Sequence, residues 1–218
     1  MIGRFFLLEK DFLIKVLLKR QILIIFLIGF LVYVNILGNG FVWDDEEQVV
    51  NNPYIKSFSS LPQIFTGSTF QTGGAGLSGW YFKPLMSFWF MLNYKIWGLR
   101  PWGFHLTQLL LHLLNSVLVF LIFKKFFNKN LVFLLTLIFC IHPANVESVA
   151  YISASQEILY TFFLLLSLGW NHIDTLGILP IFYLLAILAK ESAIVGLPII
   201  FLYFWLLEKD KNRAFFGF

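Results

Sequence analysis

Six apolar runs dominate the hydrophobic pattern of this chain. The first run covers residues 21–37 and reads QILIIFLIGFLVYVNIL, and the second covers residues 104–123. A transmembrane helix needs roughly 20 apolar residues, with about 17 as the lower limit, so both runs predict helices that span a membrane. Lys124, Lys125 and Lys129 follow the second run and mark its end.

Four further runs lie in the second half of the chain. The third begins at Asn130 and stops before Pro143, because the residue ahead of a proline avoids the α region. The fourth, fifth and sixth cover residues 154–170, 176–189 and 193–207. Three of the four are short, and runs of about 10–14 residues also occur as re-entrant segments. The whole pattern predicts an all-α integral membrane protein with about six transmembrane helices.

The basic residues predict how these helices are oriented. Residues 1–20 mix Phe and Leu with charges, which fits either a helix on the cytoplasmic membrane surface or a cytoplasmic extension of the first span. With the N-terminus inside, the inner side carries 11 of the 16 Lys and Arg residues, as the positive-inside rule requires. Residues 21–207 then form a multi-pass module in a bacterial inner membrane or its equivalent, and the tail at 208–218 is also cytoplasmic.

This orientation places a long loop, residues 38–103, on the outer side of the membrane. Within it, PLMSFWFMLNYKIWG at 84–98 predicts an amphipathic helix with Pro84 in its first turn, and LPQIF at 61–65 predicts a second, shorter helix. Their Phe and Trp side chains suit the headgroup layer, so both are expected to be interfacial helices. The glycine-rich stretch between them lacks the strand and helix context of a nucleotide-binding loop.

Composition agrees with a membrane protein and excludes other classes. The chain is 59% hydrophobic and only 13% charged, whereas an ordinary soluble domain is about 25% charged. A net charge of +4 is too small to indicate a nucleic-acid partner. The single cysteine, Cys140, lies in an apolar run and cannot form an internal disulfide or a CxxC zinc site.

Four consecutive carboxylates follow the first apolar run, in the stretch FVWDDEEQVVNNPYIK at 41–56. The adjacent Asp44 and Asp45 repel each other, which in a partly dry niche raises the proton affinity of at least one of them. Such a carboxylate at the membrane rim is a candidate general base. Two other interpretations stay open: a solvated charge run, and a divalent-metal site, since carboxylate oxygens suit hard cations. No histidine lies at a helpful spacing nearby, so a transition metal is not expected.

Other charged residues are expected at the outer ends of the spans. HPANVESVAYISASQE at 142–157 brings His142 and Glu147 there, and AKES at 189–192 brings Lys190. Each of these groups is either functional or part of a structural ion pair.

These outer charges suggest one chemistry. A carboxylate could take the proton of an acceptor hydroxyl while cations hold a phosphate leaving group. The surrounding lipid would deliver a lipid-linked substrate from the side. Lys83, Lys190, Arg100, Glu147 and His142 are therefore the candidate substrate-binding residues.

Four segments resemble, in the same order, the membrane half of the C-type glycosyltransferases. They read FVWDDEEQVVNNPYIK, YFKPLMSFWFMLNYKIWGLRPWGFHLTQLLLHLLNSVLVF, IHPANVESVAYISASQEIL and LAKESA. The strongest resemblance, over most of residues 41–195, is to the protein O-mannosyltransferase-like proteins that carry tetratricopeptide repeats. It implies a multi-span enzyme that transfers a sugar, with mannose as the candidate, from a polyprenyl-phosphate donor to a protein or glycan hydroxyl on the outer face.

The resemblance also implies roles for individual residues. In that superfamily an acidic residue of the first outer loop is the catalytic base, a role that falls here on Asp44 or Asp45. We assign Asp44 as the base and Asp45 as the residue that orients the acceptor or a metal, although the two could exchange roles. Lys83 and Lys190 become candidates for contacting the donor phosphate, and Glu147 for shaping the outer cavity. Inverting transfer is expected from a β-linked donor, because a single base then suffices.

The chain departs from the family pattern in two respects. Gln156 stands where the family often has a basic residue before the acid of the ISxxxE block, which would weaken contacts to a phosphate or carboxylate. Family members also carry more spans and a repeat domain, whereas no 34-residue period is visible here. We therefore expect a truncated chain or one half of a split enzyme, whose partner chain supplies the missing helices or repeats. The alternatives are a non-catalytic or degenerate membrane subunit and, last, a small transporter.

Overall fold

The computed structural model describes residues 2–69, 81–169, 175–203 and 205. Over these residues the chain is all-helical and contains no strand, which confirms the predicted all-α class. The α-helices of the described ranges are α1 (Ile2–Tyr33), α2 (Leu61–Thr66), α3 (Pro84–Trp97), α4 (Pro101–Phe123), α5 (Lys129–Ile141), α6 (Val146–Ala150), α7 (Ser155–Gly169) and α8 (Thr175–Ala189). Short 3₁₀ and π segments join them, and a further apolar helix covers Glu191–Tyr203. Most of the glycine-rich stretch and the predicted tail lie outside the described residues.

Two helices of the described part are long and apolar enough to cross a membrane, Leu18–Gly38 and Pro101–Phe123. A third candidate is a bent pair, Lys129–Ile141 with Pro143–Ala150, whose axes meet at 44°. The bend falls at the proline, where the sequence predicts that the helix ends. The apolar helices beyond it are shorter than a full span. The described residues therefore contain two or three candidate spans of a membrane protein, and the full set of six stays a prediction.

The helix α1 runs from Ile2 to Tyr33 without a break. The boundary that the sequence predicts between residues 20 and 21 therefore falls inside a continuous helix. Gly29 brings α1 close to its neighbours, because a Cβ at this position would lie 2.5 Å from both the Cys140 Sγ and a Leu113 methyl group. A larger residue there would force α1 away from α4 and α5.

The helix α4 forms the centre of the fold and buries a stripe of polar side chains. The members recur every three or four residues on one face, and all are at most 3% exposed: His105, Gln108, His112, Asn115 and Ser116. Such groups must be hydrogen-bonded when they leave water. Several of them bond to backbone carbonyls of the elements packed around α4: His112 Nε2 lies 2.8 Å from the Cys140 carbonyl, and Asn115 donates to the Ile158 carbonyl at 3.0 Å.

The two helices predicted in the outer loop are present as α2 and α3. Pro84 starts α3, where its missing N–H costs no helical bond. The helix α3 is more deeply packed than an interfacial helix requires, because Met86, Phe90 and Met91 are at most 1% exposed and belong to the main core. Through this packing α3 holds its first residues, and Lys83 before them, against the rest of the fold.

Candidate active site

The ends of several helices meet at one side of the molecule, and Gln108 of α4 fixes the backbone there. Its Nε2 donates to the Ser148 carbonyl at 2.6 Å and to the Tyr151 carbonyl at 2.7 Å. The Ser155 hydroxyl in turn donates to the Gln108 Oε1 at 2.6 Å. The chain between α6 and α7 is therefore held in place although it is not regular helix. This segment carries the groups that contact residues 41–56, which we call the acidic loop.

Asp45 attaches the acidic loop to that segment. One of its oxygens accepts hydrogen bonds from the Ser153 N–H at 2.8 Å and the Ser153 hydroxyl at 2.6 Å. The other accepts from the Val42 N–H at 3.1 Å. The Asp45 side chain is fully buried, and we call Asp45, Val42 and Ser153 the anchor.

Burial raises the pKa of Asp45 above its usual range, because a charged carboxylate loses water there. The hydrogen bonds from Ser153 and Val42 act in the opposite direction, and the neighbouring Asp44 charge adds a smaller upward contribution. The repulsion between the two aspartates that the sequence suggested is present, but dehydration has the larger effect on the pKa of Asp45.

Asp44 has the opposite environment. Its side chain is exposed, and its backbone N–H donates to the Tyr151 hydroxyl at 3.2 Å. The preceding residue, Trp43, has a φ of 51°, the one positive φ of a non-glycine residue among the described residues. This turn directs Asp44 and Asp45 to different sides of the loop.

Asp44 lines a cavity of about 310 Å³, which we call the outer cavity. The other lining residues come from the acidic loop, the segment before α3, α3 itself and the segment from α6 to α7: Gln48, Thr69, Tyr81, Lys83, Met86, Glu147, Tyr151, Ser153, Ala154, Gln156 and Glu157. The wall thus combines carboxylates, one lysine, amides and hydroxyls. Three carboxylates and one lysine give the wall charges of both signs, and its amides and hydroxyls suit a polar, hydroxyl-rich ligand.

Lys83 is the lysine of the outer cavity, and its backbone is held firmly. Its N–H donates to the Thr69 hydroxyl at 3.1 Å, and its ammonium lies over the Tyr81 ring, 5.2 Å from the ring centre. Burial lowers the pKa of Lys83, and the nearby Glu191 and Glu157 carboxylates partly counteract this effect. A half-buried lysine in a cavity wall is well placed to attract a phosphate.

Lys190 forms an ion pair with Glu157, which lines the outer cavity. Lys190 itself is not part of the cavity wall. A phosphate would therefore have to compete with Glu157 for this ammonium, so Lys190 is a weaker candidate for direct contact than Lys83.

Two other predicted residues lie elsewhere. His142 is exposed and caps the turn after α5, where its Nδ1 accepts from the Ala144 N–H at 3.2 Å. Arg100 is exposed and directly precedes α4. Neither lines the outer cavity, whereas the predicted Glu147 does.

The described residues do not assemble a divalent-metal site. No group of three or more His, Cys, Asp or Glu side chains among them could hold a metal ion. Both Asp45 oxygens already accept hydrogen bonds, one from the Ser153 N–H and hydroxyl and the other from the Val42 N–H.

Comparison with known proteins finds relatives that match most of the chain. The chain is 31% identical over 207 residues to a protein O-mannosyl-transferase of Caenorhabditis elegans, a match that covers 90% of this chain and 29% of the relative. It is 32% identical over 207 residues to protein O-mannosyl-transferase TMTC1 of Homo sapiens, covering 84% of this chain and 24% of the relative. A Drosophila melanogaster protein O-mannosyl-transferase is 29% identical over 182 residues, which are 78% of this chain and 21% of the relative.

No family model matches the chain. No solved structure matches it either. The chain spans less than a third of the length of these three relatives. The resemblance predicted from the sequence is nevertheless confirmed over most of the chain: it is a homologue of the protein O-mannosyl-transferases.

Proposed function

We propose that this chain is a membrane glycosyltransferase module that transfers a sugar, with mannose as the first candidate, from a polyprenyl-phosphate donor to a hydroxyl of a protein. The homology supports the class of reaction, because the relatives are named for O-mannosyl transfer to protein. The observation that carries the proposal is the outer cavity, where an exposed carboxylate, Asp44, and a half-buried cation, Lys83, line the same wall.

The reaction assigns one role to each of these groups. Asp44 accepts the proton of the acceptor hydroxyl while the hydroxyl oxygen attacks the anomeric carbon of the sugar. The bond from that carbon to the phosphate oxygen breaks, and its electron pair leaves with the polyprenyl phosphate. Lys83 stabilises the negative charge that grows on this phosphate. Because the hydroxyl displaces the phosphate in one step from the opposite face of the sugar, the configuration at the anomeric carbon inverts.

The placement in the membrane follows from the same proposal. The outer cavity lies at the end of α1 and the start of α4, the side that the basic residues assign to the outer face. There α2 and α3 lie near the lipid headgroups, and the shorter apolar helices complete six membrane segments within residues 21–207. Residues 1–20 and 208–218 are cytoplasmic in this arrangement.

The experiment that tests the proposal is sugar transfer in membranes that contain the full chain and labelled polyprenyl-phosphate mannose. We expect the wild type to label protein, and Asp44→Asn to lower the rate at least about 100-fold, the usual contribution of a general base. The control is Glu46→Gln, which neutralises an exposed neighbouring carboxylate that does not line the outer cavity.

The outcomes separate the two functions under consideration. Transfer by Asp44→Asn at the wild-type rate would refute Asp44 as the base. Absence of transfer by the wild type, in membranes where a full-length relative is active, would favour the alternative of a non-catalytic subunit of a split enzyme.

A further inference from the structure

Trp43 has a backbone conformation that its side chain disfavours. Its φ of 51° lies in the left-handed region, where the Cβ of a bulky residue clashes with its own backbone. Glycine adopts this region readily because it has no Cβ. Two backbone hydrogen bonds close the turn around Trp43: the Asp45 N–H donates to the Val42 carbonyl at 3.0 Å, and the Glu46 N–H donates to the Trp43 carbonyl at 3.1 Å. Strain of this kind in a well-braced turn is frequent at ligand-binding sites.

The Trp43 ring is also unusually open. It is 83% exposed, the largest value among the exposed large hydrophobic side chains of the described residues. Its ring meets Tyr151 edge-to-face, with the ring centres 5.8 Å apart and the planes at 78°. Tyr151 lines the outer cavity and accepts the hydrogen bond from the Asp44 N–H, so the ring lies next to both the cavity wall and the proposed base.

We propose that Trp43 is a substrate-positioning residue that stacks against the pyranose ring of the lipid-linked sugar, a proposal that rests on the proposed function. The C–H groups on one face of a pyranose carry partial positive charge, and the face of an aromatic ring carries partial negative charge. Stacking of the two orients the sugar without hydrogen bonds.

The position of Trp43 favours a sugar over a plain membrane contact. An aromatic side chain that only inserts among headgroups needs no special backbone conformation, and several exposed rings elsewhere in the described residues, such as Phe58 and Trp102, have ordinary ones. The strained turn instead holds one ring beside Asp44, the carboxylate that deprotonates the acceptor hydroxyl as it attacks the anomeric carbon. The ring would therefore set the distance between the sugar and Asp44.

The test compares two lipids on the full chain in lipid nanodiscs: polyprenyl-phosphate mannose and polyprenyl phosphate without a sugar. We expect Trp43→Gly to raise the dissociation constant of the mannosylated lipid about tenfold, the size of one ring-stacking contact, and to leave that of the bare lipid unchanged. Trp43→Phe, which keeps an aromatic face, should restore most of the affinity. Glycine accepts a positive φ, so Trp43→Gly should unfold at a temperature no lower than the wild type.

Trp102→Ala is the matched control and should affect the binding of neither lipid. This exposed tryptophan contacts Trp97, which does not line the outer cavity, whereas Trp43 contacts the cavity residue Tyr151. Equal weakening of both lipids by Trp43→Gly would overturn the inference in favour of a lipid anchor, and an unchanged affinity for both would overturn it as well. In either case the proposed function would stand. A wild type that binds neither lipid would refute the proposed function and this inference together.

Discussion

Asp44 and Asp45 are neighbours in the chain, yet they belong to two regions with different physical character. In the anchor, the buried Asp45 carboxylate accepts hydrogen bonds from Ser153 and Val42. In the outer cavity, the exposed Asp44 carboxylate shares a wall with Lys83. The left-handed turn at Trp43 separates these two environments.

The difference shows that a run of like charges need not have one function. A carboxylate whose oxygens already accept three hydrogen bonds has little capacity left for a substrate, but it fixes the loop that contains it. A carboxylate that faces an open cavity contributes little to folding and is free to accept a proton. The adjacent pair therefore combines rigidity and reactivity at a single place.

The largest expected effect on stability comes from removing the anchor carboxylate. Asp45→Ala leaves the Ser153 N–H, the Ser153 hydroxyl and the Val42 N–H without their acceptor, so we expect a loss of about 3 kcal/mol in the free energy of unfolding. Thermal or denaturant unfolding in detergent measures this loss. The matched variant Asp44→Ala should stay within about 0.5 kcal/mol of the wild type. Equal losses in the two variants would remove the distinction between the regions.

A smaller effect is expected for the cation of the outer cavity. Lys83→Met should weaken binding of polyprenyl phosphate about tenfold, which equals about 1.4 kcal/mol, because one charge-assisted contact to phosphate is lost. Arg100→Met removes an exposed positive charge outside the outer cavity and should leave the affinity unchanged. If Arg100→Met weakened the binding of polyprenyl phosphate and Lys83→Met did not, the phosphate would bind outside this cavity.

The smallest effect concerns one hydrogen bond of the anchor. Ser153→Ala removes the hydroxyl donor but keeps the backbone N–H that bonds to Asp45 at 2.8 Å, so we expect a loss of about 1 kcal/mol in unfolding free energy. The control Ser59→Ala changes an exposed serine and should alter stability by less than about 0.5 kcal/mol. A Ser153→Ala variant as stable as this control would show that the hydroxyl bond adds nothing to the anchor.

Much of the fold could be predicted from the sequence, because helices leave periodic and local signals. The apolar runs located α1, α4 and α5, and Pro84 and Pro143 marked the start of α3 and the bend after α5. The number of spans could not be fixed in this way. Apolar runs of 13 to 15 residues, such as those of α5 and α7, fit a short span, a tilted segment or a buried helix equally well.

The site was less predictable than the fold. Charged residues stand out in an apolar chain, and three of the predicted ones line one cavity: Asp44, Lys83 and Glu147. The separation of Asp44 from Asp45 depends on Ser153, more than 100 residues away, and local pattern carries no information about such a contact. One signal was present but not used: Gln108 belongs to polar positions that recur every three or four residues on α4, which predicts a buried hydrogen-bonding stripe.

Cysteine labelling most directly tests whether Asp44 is exposed while the adjacent Asp45 is buried in the anchor. The chain suits this test because its single cysteine, Cys140, is fully buried. A membrane-impermeant maleimide is added to the outer side of sealed vesicles that contain the Asp44→Cys or the Ser153→Cys variant, with the wild type as the baseline. We predict rapid labelling of Asp44→Cys and much slower labelling of Ser153→Cys, because Ser153 is only 4% exposed although it lines the outer cavity. Equal labelling of the two variants, or labelling of Asp44→Cys from the cytoplasmic side alone, would contradict an open Asp44 beside a sealed anchor on the outer face.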